Sequence, residues 1–286
     1  MVTVDDTERS PIVSTKPLGS RAYGSIPHLS TSRIGPGDHH CHIGQEKIVT
    51  LKVRDRHDHV IITEKVDGSC CSVARIGDDI VPITRSGYHA RTSKYDQHHD
   101  FADYVAAHNR EWLQVLTPGQ RIIGDWLGQA HGTRYDIEEP HEAFVVFDLM
   151  EGQTRQPWSV VVEAAIHLPV SLPGYLRTHE PMEPVAAFET LIAHHIIPMT
   201  PPEQPEGVVF RLERRGKVEF LAKWVRPDFV PGVHLSEISG EPDVWNFRFM
   251  DWLQASYDPQ WAHLTGDAEM LMNVYADRAS WNAVTS

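Results

Sequence analysis

One stretch constrains this chain more than any other: "VIITEKVDGSCCS", from Val60 to Ser72. β-Branched residues flank an Asp67-Gly68 pair, and Asp-Gly between extended runs is among the best short hairpin signals. The stretch therefore predicts two strands joined at Asp67-Gly68. It also places a lysine, Lys65, two residues before the turn. Read one way, Lys65 is a solvated charge beside a hairpin. Read the other way, it is a nucleophile, and the rest of the chain must decide.

Further extended segments surround it. Residues 48–76 and 80–87 read as strands, as do "RIIGDWLG" (121–128) and "AFVVFDLM" (143–150). A second hairpin follows: "EGVVFRLE", a turn at Arg215-Gly216, then "KVEFLAKWV". In its last strand Glu219, Leu221 and Lys223 share one face, and Phe220, Ala222 and Trp224 the other. Helical spacing joins Phe101, Tyr104, Val105, His108, Trp112 and Leu113, ending near Pro118-Gly119. It also puts Phe188, Leu191, Ile192 and His195 on one face of 185–196. Strands and helices do not alternate regularly. The expected class is α+β, with antiparallel sheets flanked by helices, rather than a doubly wound parallel sheet. Neither Gly-x-x-x-x-Gly-Lys-Ser/Thr nor Gly-x-Gly-x-x-Gly occurs.

The polar residues 1–20 read as a mobile arm, and 25–45, rich in Gly, Pro, Ser and His, as an ordered loop or cap. The main domain is expected over 21–233. Residues 234–286, with Trp245, Phe249, Trp252, Leu253, Met270, Leu271, Val274 and Tyr275, read as a small helical extension, too short for a typical OB barrel. No apolar run approaches a membrane span, and the N-terminus does not resemble a secretory signal. Three cysteines, Cys41, Cys70 and Cys71, make a disulfide framework improbable. A cytoplasmic protein is the expectation. The net charge of −13 argues against a generally basic nucleic-acid binder, although a site can be basic inside an acidic shell.

Six short motifs stand in order: "EKVDGS" (64–69), "TRSG" with Arg85, "GDWLG" (124–128), "FVVFDLM" (144–150), "EGVVFR" (206–211) and "FLAKWVRPDF" (220–229). Together they resemble the covalent nucleotidyltransferase superfamily of polynucleotide ligases and mRNA capping enzymes. "EKVDGS" and the long "GDWLGQAHGTRYD" segment resemble its ATP-dependent RNA ligase branch most. The resemblance spans 64–229, most of the chain. It implies a nucleotidyltransferase fold that joins RNA 3′-hydroxyl and 5′-phosphate ends, nicked duplex or tRNA-like ends among them, using ATP and Mg²⁺ or Mn²⁺.

The resemblance also implies roles. Lys65 attacks the α-phosphate of ATP to form lysyl-AMP. A free lysine has a pKa of ~10.4, so burial and neighbouring cations are expected to depress it. Glu64 positions and contacts the nucleotide. Arg85 holds a phosphate of the nucleotide or of the RNA 5′-end. Asp125 stands where the family has Glu and contacts the ribose with a shorter reach. Phe147 stacks on adenine, with Phe144 as competitor. Glu206 holds the metal ion near the triphosphate. Lys223 neutralises the α-phosphate. The family's Lys-x-Lys pair is here Leu221-Ala222-Lys223, so Lys223 acts alone or Arg226 substitutes.

Some features lie outside the motifs. "GDHHCH" (37–42) offers potential ligands, but adjacent residues seldom fill one tetrahedral site, so a surface loop or a polar loop lining the site is expected before zinc. His98-His99 and His194-His195 read as capping and packing residues. Arg211, Arg214, Arg215 and Lys217 could contact phosphates or simply line a solvated hairpin tip. A protein partner would fit so reduced a chain. The alternative functions are DNA nick sealing, GTP-dependent capping, or an RNA-end-binding module without turnover. Absence of an OB-fold counts against the first two, and the set Lys65, Glu206 and Lys223 against the third.

Overall fold

The computed structural model describes residues 16–193, 199 and 203–256. Nine strands lie among them: β1 (Asp58–Lys65), β2 (Ser69–Ile76), β3 (Asp79–Thr84), β4 (Gln120–Trp126), β5 (Phe144–Glu151), β6 (Thr154–Arg155), β7 (Tyr175–Thr178), β8 (Gly207–Arg214) and β9 (Lys217–Val225). They form two antiparallel sheets, ordered β7-β1-β8-β9 and β3-β2-β4-β5-β6. The α-helices are α1 (Ile43–Thr50), α2 (Asp96–Ala107), α3 (Asn109–Val115), α4 (Pro140–Ala143), α5 (Trp158–Ile166), α6 (Pro184–Ile192), α7 (Ser236–Ser239) and α8 (Phe249–Ser256). The class is α+β, as expected.

The Asp67-Gly68 turn is not a hairpin. β1 pairs with β7 and β8, whereas β2 pairs with β3 and β4. The three residues between them carry the chain from one sheet to the other. Gly68 is required by a close approach: a Cβ there would lie 2.7 Å from both the Trp126 carbonyl oxygen and Leu127 Cδ2. Asp67 fixes the crossing, its Oδ2 accepting from Gly132 N (2.5 Å) and Thr133 N (3.0 Å). Local sequence specified the reversal, and the partners available to each strand converted it into a crossover.

Helices cover the outer faces. Phe101, Tyr104 and Trp112 of α2 and α3, with Phe249 of α8, pack against Trp126 and Phe144 of the five-stranded sheet. Val49 of α1 and Phe188 and Leu191 of α6 pack with Val60, Phe210 and Trp224 of the four-stranded sheet. Phe220, Ala222 and Trp224 thus point outward to this second core, and the alternate face of β9 turns to the space between the sheets. Residues 43–50, read as loop and strand, are helical because His42 closes a capping box with Gln45. α5 and β7 had no counterpart in the sequence reading: the Val-rich "WSVVVEAAI" resembles a strand, yet it forms a helix immediately after Pro157. The expected faces at His194, His195, Met270, Leu271, Val274 and Tyr275 lie outside the described residues, as does the extension beyond 256. Among the described residues, no helix is long and apolar enough to cross a membrane.

One irregularity shapes the space between the sheets. Ile123 opposes Asp148, but Gly124 opposes Val146, leaving Phe147 as an extra residue in β5. Such a bulge breaks the alternation of side chains. Phe147 packs with Tyr23, Ile123 and Met150, and Asp148 accepts from Tyr23, so two consecutive side chains face inward. Phe144 instead is fully buried in the main core, so of the two phenylalanines Phe147 is the one that lines the space between the sheets.

Candidate active site

The inner faces of the sheets enclose a cleft. The four-stranded sheet contributes Glu64, Lys65, Leu221 and Lys223; the other sheet and its loops contribute Cys70, Arg85, Asp125 and Phe147. Every expected site residue except Glu206 lines this cleft, and Glu206 reaches it through Lys65. Glu206 immediately precedes β8, where its backbone N–H donates to the Lys65 carbonyl (3.2 Å). Gly207 opposes Lys65 in the ladder. The side chains then meet as a close ion pair, Lys65 Nζ to Glu206 Oε2.

This pairing reverses the expected electrostatics of Lys65. Burial alone pulls its pKa down, but Glu206, Asp125 and Asp67 more than compensate, and the ammonium form is held well above the ordinary lysine range. The expected depression by neighbouring cations does not occur, because the nearest charges are carboxylates. Asp125 pays for the crowding: burial, with Glu206 and Asp67 adding to it, raises its carboxyl to about 7 despite the pull of Lys65. Lys223 shifts the other way, lowered by burial and by the charge of Lys65.

The remaining residues are held individually. Glu64 is buried, and its Oε2 accepts from Gly174 N at 3.1 Å. Arg85 follows β3 and donates to Ser25 Oγ at 3.1 Å. Arg226, the expected substitute for a second lysine, is engaged by other partners. Its guanidinium donates to the Pro205 carbonyl (3.0 Å) and to Asp228 (2.6 Å). The position facing the cleft is occupied by Leu221. Of the basic run, Arg214 is paired with Asp58 at 2.7 Å, and Arg215, with φ of 50°, forms the turn with Gly216. Arg211 is buried at the base of the cleft.

Sequence reasoning missed a buried network around Asp148, which accepts from Tyr23 Oη (2.8 Å), Arg155 Nε (2.9 Å) and Arg211 Nη2 (2.7 Å). A carboxylate inside an apolar strand run was the available signal, since a buried charge requires partners. The loop containing "GDHHCH" is expected to be a surface loop or a polar loop lining the site. Asp38 lies 3.9 Å from Lys223 Nζ and 3.2 Å from His28 Nε2. Burial and the Lys223 charge lower the His28 pKa to about 4, so the ring is neutral at pH 7. His42 caps α1, His40 contacts the Leu29 carbonyl, and Cys41 is buried in the second core. This is a polar loop at the site, and no group of three or more metal-ligating side chains occurs among the described residues.

A family model described as RNA ligase matches residues 58–225, more than half of the chain. No curated protein matches. Solved structures of Naegleria gruberi RNA ligase are similar in fold. One, with PPi, is 18% identical at a TM-score of 0.43, covering 81% of this chain and 64% of that one. A variant with ATP and Mn is 18% identical at 0.43, covering 76% and 62%. A variant with AMP and Mn is 19% identical at 0.42, covering 75% and 61%. The chain therefore spans less than two thirds of these ligases.

Proposed function

Because the chain belongs to the RNA ligase family, we propose that it is an ATP-dependent RNA ligase acting through a lysyl-AMP intermediate. The observation that carries this reading is the convergence of Lys65, Asp125, Phe147 and Lys223 on one cleft. Lys65 Nζ attacks the α-phosphorus of ATP. The bond to the β-phosphate oxygen breaks, and pyrophosphate leaves. AMP then passes to an RNA 5′-phosphate, and a 3′-hydroxyl displaces AMP to seal the strand.

The roles follow from chemistry and position. Nζ must first pass a proton to a base, either Glu206 or solvent, which dissolves its ion pair with Glu206 before attack. Phe147 stacks on the adenine, with Val209 on the facing sheet. Lys223, in the same cleft as Lys65, balances charge building on the α-phosphate. Asp125 binds the ribose, and Glu64 braces the strand that carries the nucleophile. The donor set fits a divalent cation. Asp67, Asp125 and Glu206 crowd one lysine, and Mg²⁺ or Mn²⁺ commonly uses only one or two carboxylates alongside phosphate oxygens. Glu206 would hold the ion, which supplies charge neutralisation at the triphosphate.

Incubation with Mg²⁺ and α-labelled ATP, without RNA, tests the first step. Label that survives denaturation and disappears in Lys65→Ala is expected. Label from GTP alone would move the reading to capping. Absence of label from either nucleotide in folded protein would rule out the mechanism.

A further inference from the structure

The "GDHHCH" segment joins the fold at the edge strand that carries Lys223. β9 is the last strand of the four-stranded sheet, and an open strand edge leaves backbone donors and acceptors unpaired. Residues 27–33 close this edge. Lys223 N donates to the Pro27 carbonyl (2.9 Å), Leu29 N to the Lys223 carbonyl (2.8 Å), and Arg33 N to the Val225 carbonyl (3.0 Å). The loop is in turn folded on itself, with His28 N donating to the His39 carbonyl (2.8 Å) and Cys41 N to the His28 carbonyl (2.7 Å). Both backbone groups of Lys223 are therefore engaged, which fixes its Cα. Its ammonium stands at the end of a flexible four-carbon stem. Leu221 and Lys223 are the residues that β9 turns to the cleft, so Lys223 is the cation this strand supplies there.

Side chains of the loop form a relay to that ammonium. Ser32 Oγ accepts from Val225 N (2.8 Å) and lies 2.7 Å from His28 Nδ1. His28 Nε2 lies 3.2 Å from Asp38 Oδ2, and Gly35 N donates to the same oxygen at 3.0 Å. Beside a carboxylate, the one proton of the neutral ring belongs on Nε2, which leaves Nδ1 to accept from the Ser32 hydroxyl. The His28 ring is buried, so water does not compete for either nitrogen. The other carboxylate oxygen, Asp38 Oδ1, lies 3.9 Å from Lys223 Nζ. That is an ion pair, but too long for a hydrogen bond. It attracts the ammonium without taking up any of its N–H groups. Asp38 is not one of the cleft-lining residues, so its charge acts from outside the space a nucleotide would take.

We propose that Asp38 is a positioning residue for Lys223: the Ser32–His28 relay fixes its carboxylate, and its charge aims the Lys223 ammonium at the α-phosphate that Lys65 attacks. The assignment rests on the ligase reading. In that reading the Lys65 Nζ–P bond forms as the bond to the β-phosphate oxygen breaks, and negative charge builds on the α-phosphate oxygens. A cation aimed beforehand stabilises that charge without having to reorganise. A lysine left to its own rotamers would lose part of that benefit, because ordering a long side chain costs entropy.

The test is a double-mutant cycle of Asp38→Asn and Lys223→Ala, read as the rate of lysyl-AMP formation from α-labelled ATP and Mg²⁺. Asp38 is exposed, and asparagine keeps its shape and an acceptor for Gly35 N, so the variant removes charge rather than fold; matching thermal melts check this. Asp38→Asn should slow the maximal rate by about three- to tenfold. The ATP concentration at half-maximal rate should hardly move, because the contact acts in the transition state. In the Lys223→Ala protein the same substitution should cost nothing further, there being no ammonium left to aim. Asp38→Glu, which keeps the charge, should retain more of the rate than Asp38→Asn. Should Lys223→Ala form no label within hours, the loss in Asp38→Asn and its recovery in Asp38→Glu decide the matter. An Asp38→Asn rate within about twofold of wild type, a faster one, or an equal further loss without Lys223 would overturn the proposal. So would a glutamate variant as slow as the asparagine one. Absence of label in wild type would overturn the ligase reading and this role with it, whereas wild-type labelling that ignores Asp38 would overturn the role alone.

Discussion

Removing Asp148 should destabilise the protein far more than an average substitution. Asp148 and Arg211 are buried, with relative exposures of 0% and 2%. Taking one member from a buried ion pair costs about 3–5 kcal/mol, because the other charge is left without compensation. Here Arg211 retains the carbonyls of Phe147 (3.2 Å) and Gln156 (3.0 Å) as acceptors. The Arg155 side chain, 28% exposed, can turn to solvent. Asp148→Ala should therefore cost about 3 kcal/mol, near the lower end. At about 2–4 °C per kcal/mol for a chain of this size, the melting temperature should fall by roughly 6–12 °C. Asp148→Leu combined with Arg211→Met should recover most of the loss, since apolar replacement of a whole buried pair is often neutral. Urea unfolding and thermal melts of the three proteins measure this. A loss below about 1 kcal/mol, ordinary for any substitution, or a double variant less stable than Asp148→Ala, would refute the reasoning.

Phe147→Ala should weaken ATP binding by about 1–3 kcal/mol with little change in stability, whereas Phe144→Ala should cost about 3–5 kcal/mol of stability; calorimetry and melts separate the two. Gly68→Ala drives a methyl against the Trp126 carbonyl and should destabilise by about 1–3 kcal/mol, read by urea unfolding. Asp100 accepts from Phe249 N, and burial raises its pKa from 3.8 to about 7. The folded state thus holds the proton more tightly, and this contribution, complete below pH 4, is lost as pH rises through about 7. The melting-temperature advantage of wild type over Asp100→Asn should shrink between about pH 4 and pH 7, and a constant difference would contradict the assignment.

The cleft residues were legible because the chemistry expected of them limits them to few residue types. Lys65, Arg85, Asp125, Phe147 and Lys223 all line the cleft. The less legible features depend on which segments meet. Asp-Gly encodes a reversal, but whether β1 and β2 pair is decided by β4 and β8, remote in sequence. The charge state of Lys65 follows from Glu206, which the sequence offers as a metal ligand rather than a counter-ion. Arg226 is positioned well in sequence, yet Asp228, two residues away, claims it. The bulge at Phe147 leaves no local mark at all, since "FVVFDLM" reads as an uninterrupted strand.

The ion pair between Lys65 and Glu206 also bears on the reactivity of Lys65. An amine is nucleophilic only when its lone pair is free, and Lys65 paired with Glu206 is held as an ammonium. Acyl phosphates, isocyanate and other cellular electrophiles that modify exposed amines would find this one inert. Reactivity is withheld until Glu206 finds another partner. On the ligase reading proposed above, the same contact that delays the first step would keep Lys65 chemically intact.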